Sequence, residues 1–226
     1  MPRCQGKFER EARKQGFRLP AGADEAGRGC LFGPVFAAAV ILSPDRPIRG
    51  LRDSKQLTPE ERETLAPRIR ERAVAWAVGG ADAFEIDWHN IYQASRLAIR
   101  RAVEKLSPPP DFLLVDALAI DLPVAQRALI HGDALCQAIA AASILAKVAR
   151  DAALAQWDRV FPEYGLAQNK GYGTPEHLQA LAAFGPTPLH RFSFQPVRDA
   201  APDREWPGYP ERRDTQLQLF SGMSGA

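Results

Sequence analysis

No run of apolar residues in this chain approaches the twenty or so needed to cross a bilayer. The longest candidate, Ala138 to Ala146, stops at Lys147. The first eighteen residues lack the apolar core of a secretory signal. Cysteine is scarce and odd in number: Cys4, Cys30 and Cys136 show no C-x-x-C spacing, which argues against a disulfide framework and for a reducing compartment. The four histidines have no zinc-type spacing. A net charge of +2 excludes a strongly basic chain, so any nucleic-acid binding must use locally grouped charge. These absences point to a cytoplasmic globular protein with no membrane partner. Its 46% hydrophobic and 25% charged residues fit that class, and 226 residues suffice for one domain with appendages.

What is present begins at Asp24-Glu25-Ala-Gly27-Arg28-Gly29. Adjacent carboxylates hold hard cations through oxygen, glycines admit a ligand close to the backbone, and arginine meets a phosphate. An acidic pair in isolation reads as a solvated turn. Here the flanks are apolar, and Val35 to Leu42 is a buried strand in prospect. A dinucleotide fingerprint fails, because its third glycine would fall on Phe32 and a strand follows where a helix should open. The motif therefore points to metal-assisted phosphodiester chemistry.

Further on, Thr58-Pro59-Glu60-Glu61 predicts a helix start, Ala73–Gly79 a strand, and Glu85–Leu106 a long amphipathic helix. Residues 111–116 form a short apolar strand ending on Asp116, Gln126–Ile130 another, and His131-Gly-Asp133 leads into a small-residue helix over 138–151. Asn169 to His177 is a glycine-rich loop capped into a helix, and beyond about residue 200 the chain reads as a flexible tail. Strands first and then strands alternating with helices predict a mixed α/β sheet covered by helices. Asp24 and Asp116 both end apolar strands, so neighbouring strands would bring them to one edge. Asp24 and Glu25 point to opposite faces and share a site only if the strand breaks between them. Asp133 is a fourth acid, with a helix N-cap as its competing reading.

These blocks, together with Gly33-Pro34-Val, Asp53-Ser-Lys55, Ala140-Ala-Ala-Ser143-Ile-Leu-Ala-Lys147-Val-Ala-Arg150-Asp151, Lys170-Gly-Tyr172-Gly-Thr174 and His190-Arg-Phe-Ser-Phe, resemble bacterial ribonuclease HII, the type 2 ribonuclease H, over roughly residues 20–198. The resemblance implies a ribonuclease H-like mixed sheet flanked by helices with a small C-terminal helical module. The expected division is a basic N-terminal extension at 1–18, a catalytic core at 19–160, a substrate-binding module at 161–200 and a tail at 201–226. It implies endonucleolytic cleavage, leaving 5′-phosphomonoesters, of RNA–DNA hybrids and of single ribonucleotides within duplex DNA, in ribonucleotide removal, repair and replication. Asp24, Glu25, Asp116 and Asp133 match the family's metal-binding and catalytic acids, with Mn²⁺ or Mg²⁺ as cofactor. Gly27-Arg28-Gly29 matches the motif that senses the 2′-hydroxyl, and Tyr172 the tyrosine against the neighbouring sugar. Lys55, Ser143, Lys147 and Lys170 are the further substrate-binding positions. His131, Leu135-Cys136 and Ala117 depart from the family pattern. The rival readings are another metal nuclease of the same fold, of resolvase or integrase type, and a duplex-binding module without catalysis. In the tail, Gln216-Leu217-Gln-Leu219-Phe220 resembles the peptide with which replication and repair proteins dock on a sliding clamp.

Overall fold

Three successive runs rich in alanine, short enough to lie side by side, make the centre of the molecule. In the computed structural model, which describes residues 6–116 and 118–202 and the backbone of 224–225, these runs are β1 (Pro20–Ala26), β2 (Val35–Leu42) and β3 (Ala73–Ala81). They pair as an antiparallel meander. β4 (Phe112–Asp116) and β5 (Ala125–Leu129) add in parallel on the other side of β1, and β6 (Ser224–Gly225) pairs with β3, in the order β5-β4-β1-β2-β3-β6. The mixed sheet expected from the sequence is the one found.

Helices cover both faces. In chain order they are α1 (Lys7–Lys14), α2 (Pro59–Arg72), α3 (Ala83–Glu104), the single turn α4 (Gly132–Leu135), α5 (Gln137–Asp158), then the short α6 (Leu166–Asn169), α7 (Pro175–Phe184) and α8 (Gln195–Asp199). One face buries Ala21, Ala23, Val35, Ala37 and Leu113 under α3, and the other buries Phe36, Ala38 and Val40 under α2 and α5. This alternation is the period-two pattern of a strand with helices on both sides. Thr58 caps α2 with a full capping box through Glu61, as its sequence predicts. α3 is broken at Asn90 (φ 68°), whose side chain accepts from the Gln93 N–H and so caps the second half of the helix. α5 runs seven residues beyond the end expected at 151. Among the described residues no helix is long and apolar enough to cross a membrane.

Within the expected N-terminal extension, the described helix α1 is docked on the core. Glu9 of α1 is buried, and its Oε1 accepts from the Ala138 N–H at 2.7 Å and the Cys136 thiol at 3.2 Å. A carboxylate here closes unpaired donors at the start of α5 and sits on the positive end of its dipole. Cys30 and Cys136 are buried free thiols, while Cys4 lies outside the described residues. The C-terminal helices fold around a cluster of their own, in which Tyr164, Leu166, Leu181 and Phe192 meet Leu31, Phe32 and Leu154. Asp87 of α3 ties this lobe to the sheet by accepting from the Phe192 and Ser193 N–H groups.

Candidate active site

β1 and β4 run parallel with Ala23 beside Val115, so Asp24 and Asp116 are the next residues of adjacent strands and reach the same edge. Asp24 is only 5% exposed. Burial first, then repulsion from Glu25 and from Asp116, raises its proton affinity well above the ordinary aspartate range, against hydrogen bonds from the Glu25 N–H and Ser143. Glu25 is also raised: burial leads, Arg28 opposes it, and Asp116 adds to it. Asp116 Oδ1 accepts from the Gly132 N–H at 2.8 Å. The strand does not break between the two adjacent acids, the condition set for their sharing a single closed site. Asp24 and Glu25 face Ala38 and Ala37 in regular register, and the chain turns only at Gly27 (φ 94°). The two side chains leave opposite faces at the end of the strand, and Asp116 influences both from the adjoining strand end.

Asp133 arrives at this edge from the end of β5, because Leu129 lies beside Asp116. It is not an N-cap: that position belongs to His131, in the left-handed region at φ 57° with no side-chain cap, and Asp133 sits buried in the first turn of α4. Lys55 Nζ stands 3.5 Å from its Oδ2. Burial depresses the Lys55 ammonium pKa, but Asp53, Asp133 and Asp24 outweigh it, and the net shift is upward. Among the described residues no three His, Cys, Asp or Glu side chains close on a single point. The acids instead line an edge, and Glu25 Oε2 is buried there without a hydrogen-bond donor.

The loop after β1 meets the C-terminal lobe beside these acids. A Cβ on Gly27 would lie 2.8 Å from Arg150 Cδ, and one on Gly29 would lie 3.6 Å from the Tyr172 ring. Tyr172 is 42% exposed, so it is not a core tyrosine. Its ring packs under the Arg150 guanidinium, 5.2 Å from the centroid, and its Oη accepts from Arg150 Nη1 at 3.2 Å. Arg150 Nη2 pairs with Asp151 at 3.0 Å. Arg28 itself points outward and pairs with Glu25 at 3.4 Å. Its carbonyl is held by Arg191, which donates from Nη1 to Arg28 O and from Nε to Gly33 O, both at 2.8 Å. Arg191 is fully buried, and burial pulls its pKa down to about 10, which leaves it charged at neutral pH.

Of the remaining expected residues, Ser143 joins the acids: its Oγ lies 2.7 Å from Ser54 Oγ, and its hydroxyl opposes the rise in Asp24 proton affinity. Lys147, one helical turn on, pairs with Asp151 at 2.9 Å and is lowered by burial and by Arg150. With Lys170 and Arg62 it lines a cleft of about 340 Å³ beside the site. The departure at Cys136 faces α1, where Glu9 meets it, and His131 is exposed. Sequence reasoning did not single out Arg150 and Arg191 as site residues. Their partners around the Gly27–Gly29 loop, Tyr172 for Arg150 and Arg28 and Gly33 for Arg191, are 22 to 163 residues away, beyond the reach of any spacing rule. Gln216, Leu217, Leu219 and Phe220 lie outside the described residues.

Residues 21–197 match the family model described as Ribonuclease HII. A ribonuclease HII of Solibacter usitatus is 63% identical over 99% of this chain and 96% of its own length, and that of Bacillus subtilis is 50% identical over 84% and 75%. The fold superposes on ribonuclease H2 of Pyrococcus horikoshii with a TM-score of 0.69 at 25% identity, covering 81% of this chain and 97% of that one. A ribonuclease HII of Archaeoglobus fulgidus, solved in complex with PCNA, gives 0.67 at 26% identity, covering 79% and 96%.

Proposed function

The chain belongs to the ribonuclease HII family and is a ribonuclease H endonuclease, and from that premise we propose how its residues divide the work. Asp24, Glu25, Asp116 and Asp133 hold divalent cations, Mn²⁺ or Mg²⁺, at the edge of the sheet. The observation that carries this reading is Asp24, buried among like charges that raise its proton affinity, a state that a cation would relieve. The orphaned Glu25 Oε2 and the all-oxygen donor set fit hard cations. Ions held there would supply the chemistry of water activation and of stabilising the departing oxygen in an in-line displacement.

The chain's own groups supply the rest. Lys55, beside Asp133, holds a phosphate oxygen at the scissile position, and Ser143 keeps Asp24 turned toward the edge. Gly27-Arg28-Gly29 brings bare backbone to the ribose, where the 2′-hydroxyl separates RNA from DNA. Tyr172 packs on the next sugar, and Lys147, Lys170 and the 161–200 lobe carry the flanking strand. The substrates are RNA–DNA hybrids and DNA duplexes with embedded single ribonucleotides, and the setting is ribonucleotide repair in the cytoplasm. Cleavage of a duplex with one ribonucleotide in the presence of Mg²⁺ or Mn²⁺, and none of an all-DNA duplex, is the expected result. Cutting of the all-DNA duplex would transfer the chain to the resolvase-like reading.

We also propose that the tail peptide around Gln216, Leu217, Leu219 and Phe220 binds a sliding clamp, as the Archaeoglobus relative is solved bound to PCNA. Clamp tethering raises effective concentration on DNA. Peptide 212–223 is expected to bind the clamp weakly, and Gln216→Ala with Phe220→Ala to abolish binding while sparing cleavage of short duplexes. Absence of binding at high micromolar clamp would end the proposal.

A further inference from the structure

Two buried histidines in the C-terminal lobe have no part in the reading above. His177 stands in the first turn of α7 and His190 lies in the segment that bridges to Phe32; both are fully buried. The rings of Tyr164 and Phe32 pack on His190 at 4.8 and 4.9 Å. In this apolar cage burial lowers the proton affinity of both rings, to about 3 for His190, so both are neutral at physiological pH.

Their tautomers follow from a backbone donor. The Thr187 N–H donates to His190 Nδ1 at 3.0 Å, so Nδ1 is an acceptor and the proton of the neutral ring sits on Nε2. That N–H faces His177 Nε2 at 3.1 Å, which must therefore accept. The His177 proton is thereby placed on Nδ1, from which it donates to the carbonyl of Tyr172 at 2.9 Å. The same carbonyl accepts from the Thr174 N–H at 2.8 Å, and the Tyr172 N–H donates to Asn169 O. The chain of bonds has one direction, starts on backbone and ends on the backbone of the tyrosine beside the Gly27–Gly29 loop.

We propose that His177 and His190 are positioning residues for substrate discrimination: a proton-fixed relay that holds Tyr172 against the sugar at the cleavage junction. The proposal rests on the role given to Tyr172 above. Neither histidine touches substrate. Each acts through the Tyr172 carbonyl, and the relay needs one proton per ring.

The test is steady-state cleavage of a duplex with a single ribonucleotide by the full chain. His177→Leu removes the donor to Tyr172 and is expected to lower kcat/KM roughly ten- to a hundred-fold, the scale of a small misplacement in a positioned site. His177→Asn, whose amide donates from nearly the place of Nδ1, should recover most of that loss, and His177→Gln, whose amide reaches further, should not. In a Tyr172→Ala background the His177 substitution should add nothing. Additive losses, or a folded His177→Leu protein with full kcat/KM, would overturn the relay. If His177→Leu fails to fold, the Asn and Gln variants decide the matter, and equal activities would overturn it. Hydrogen exchange at residues 170–175 separates the two readings. A fully active Tyr172→Ala removes Tyr172 from substrate contact, whereas unchanged exchange in the His177 variants removes the relay whatever Tyr172 does.

Discussion

Asp24 at the edge of the sheet and the His177–His190 pair in the C-terminal lobe are equally hidden from water, yet they are solvated by opposite means. Around Asp24 the neighbours are further acids, and the carboxyl is pushed toward its protonated form. Around the histidines each ring nitrogen has a partner, and both rings stay neutral. Burial with an unmet charge marks a place that awaits a ligand, because an isolated buried ion is costly. Burial with every ring nitrogen paired marks a place that fixes geometry. The catalytic edge is thus the part of the molecule that gains from cation binding, and the lobe is the part that stays the same.

The contrast breaks most visibly at Asp24 and Asp116. Asp24→Asn or Asp116→Asn should reduce cleavage by roughly a thousand-fold or more, while the metal-free protein melts at the same or a higher temperature, since each change removes repulsion. Near-normal turnover in Mg²⁺, or a lower metal-free Tm, would show that the acids serve the fold. Gly27→Ala comes next. Its Cβ would fall 2.8 Å from Arg150 Cδ at φ 94°, whereas that of Gly29 would find ordinary contact at 3.6 Å from the Tyr172 ring. Gly27→Ala should cost at least about ten-fold in kcat/KM through backbone strain and a displaced Arg150, with Gly29→Ala the milder in stability. Equal melting temperatures for the two variants would contradict this.

Tyr172 sharpens the comparison from the lobe side. Aromatic stacking on a base is worth about 1–3 kcal/mol, and a sugar contact lies toward the lower end. Tyr172→Ala should therefore lose activity without losing much stability, since the ring is exposed. Tyr172→Phe, which gives up only the bond to Arg150, should stay within about three-fold of wild type. A large fall in Tm for Tyr172→Ala would return the ring to the core.

The last effect is on stability rather than cleavage, and is one of pH. The folded histidines bind protons less readily than the unfolded chain, so stability rises with pH through this window. Acidification from about pH 6 downward should remove up to roughly 1.4 kcal/mol per unit through His190, toward its folded value of about 3, and His177 acts in the same direction. His190→Asn should flatten this slope relative to wild type in urea denaturation at stepped pH. Parallel slopes would mean the pair is not neutral in the fold.

Much of this was legible in the chain. Apolar runs of strand length placed β1 to β5, and capping residues such as Thr58 placed helix starts. The meeting of Asp24 and Asp116 at one edge was legible because a carboxylate that ends an apolar strand needs a partner. The local path was not. The strand runs straight through Asp24 and Glu25 because their backbone pairs with Ala38 and Ala37, and pairing overrides a nearby glycine. Asp133 reads as a cap until His131 is seen to take that position. Glu9 looks like one more surface charge in a basic segment, since nothing local shows that the start of α5 lies over it. Arg191 and the histidines act across the fold, and their chemistry exists only after the lobe has docked.

One contact far less conspicuous than the acids governs how exactly they meet. A Cβ on Gly22 would lie 2.2 Å from the carbonyl carbon of Ala138 and 2.3 Å from the Ile139 nitrogen, so strand and helix rest main chain on main chain with no side-chain cushion between. Side-chain layers absorb small errors by changing rotamer, and a bare backbone seam has no such slack. α5 behaves as a ruler clamped at one mark on β1. Two residues along the strand stands Asp24, and a little over one turn along the helix stands Ser143, so the distance between them is set at the clamp. A single methyl group at Gly22 would shift that distance without touching any group that meets the substrate.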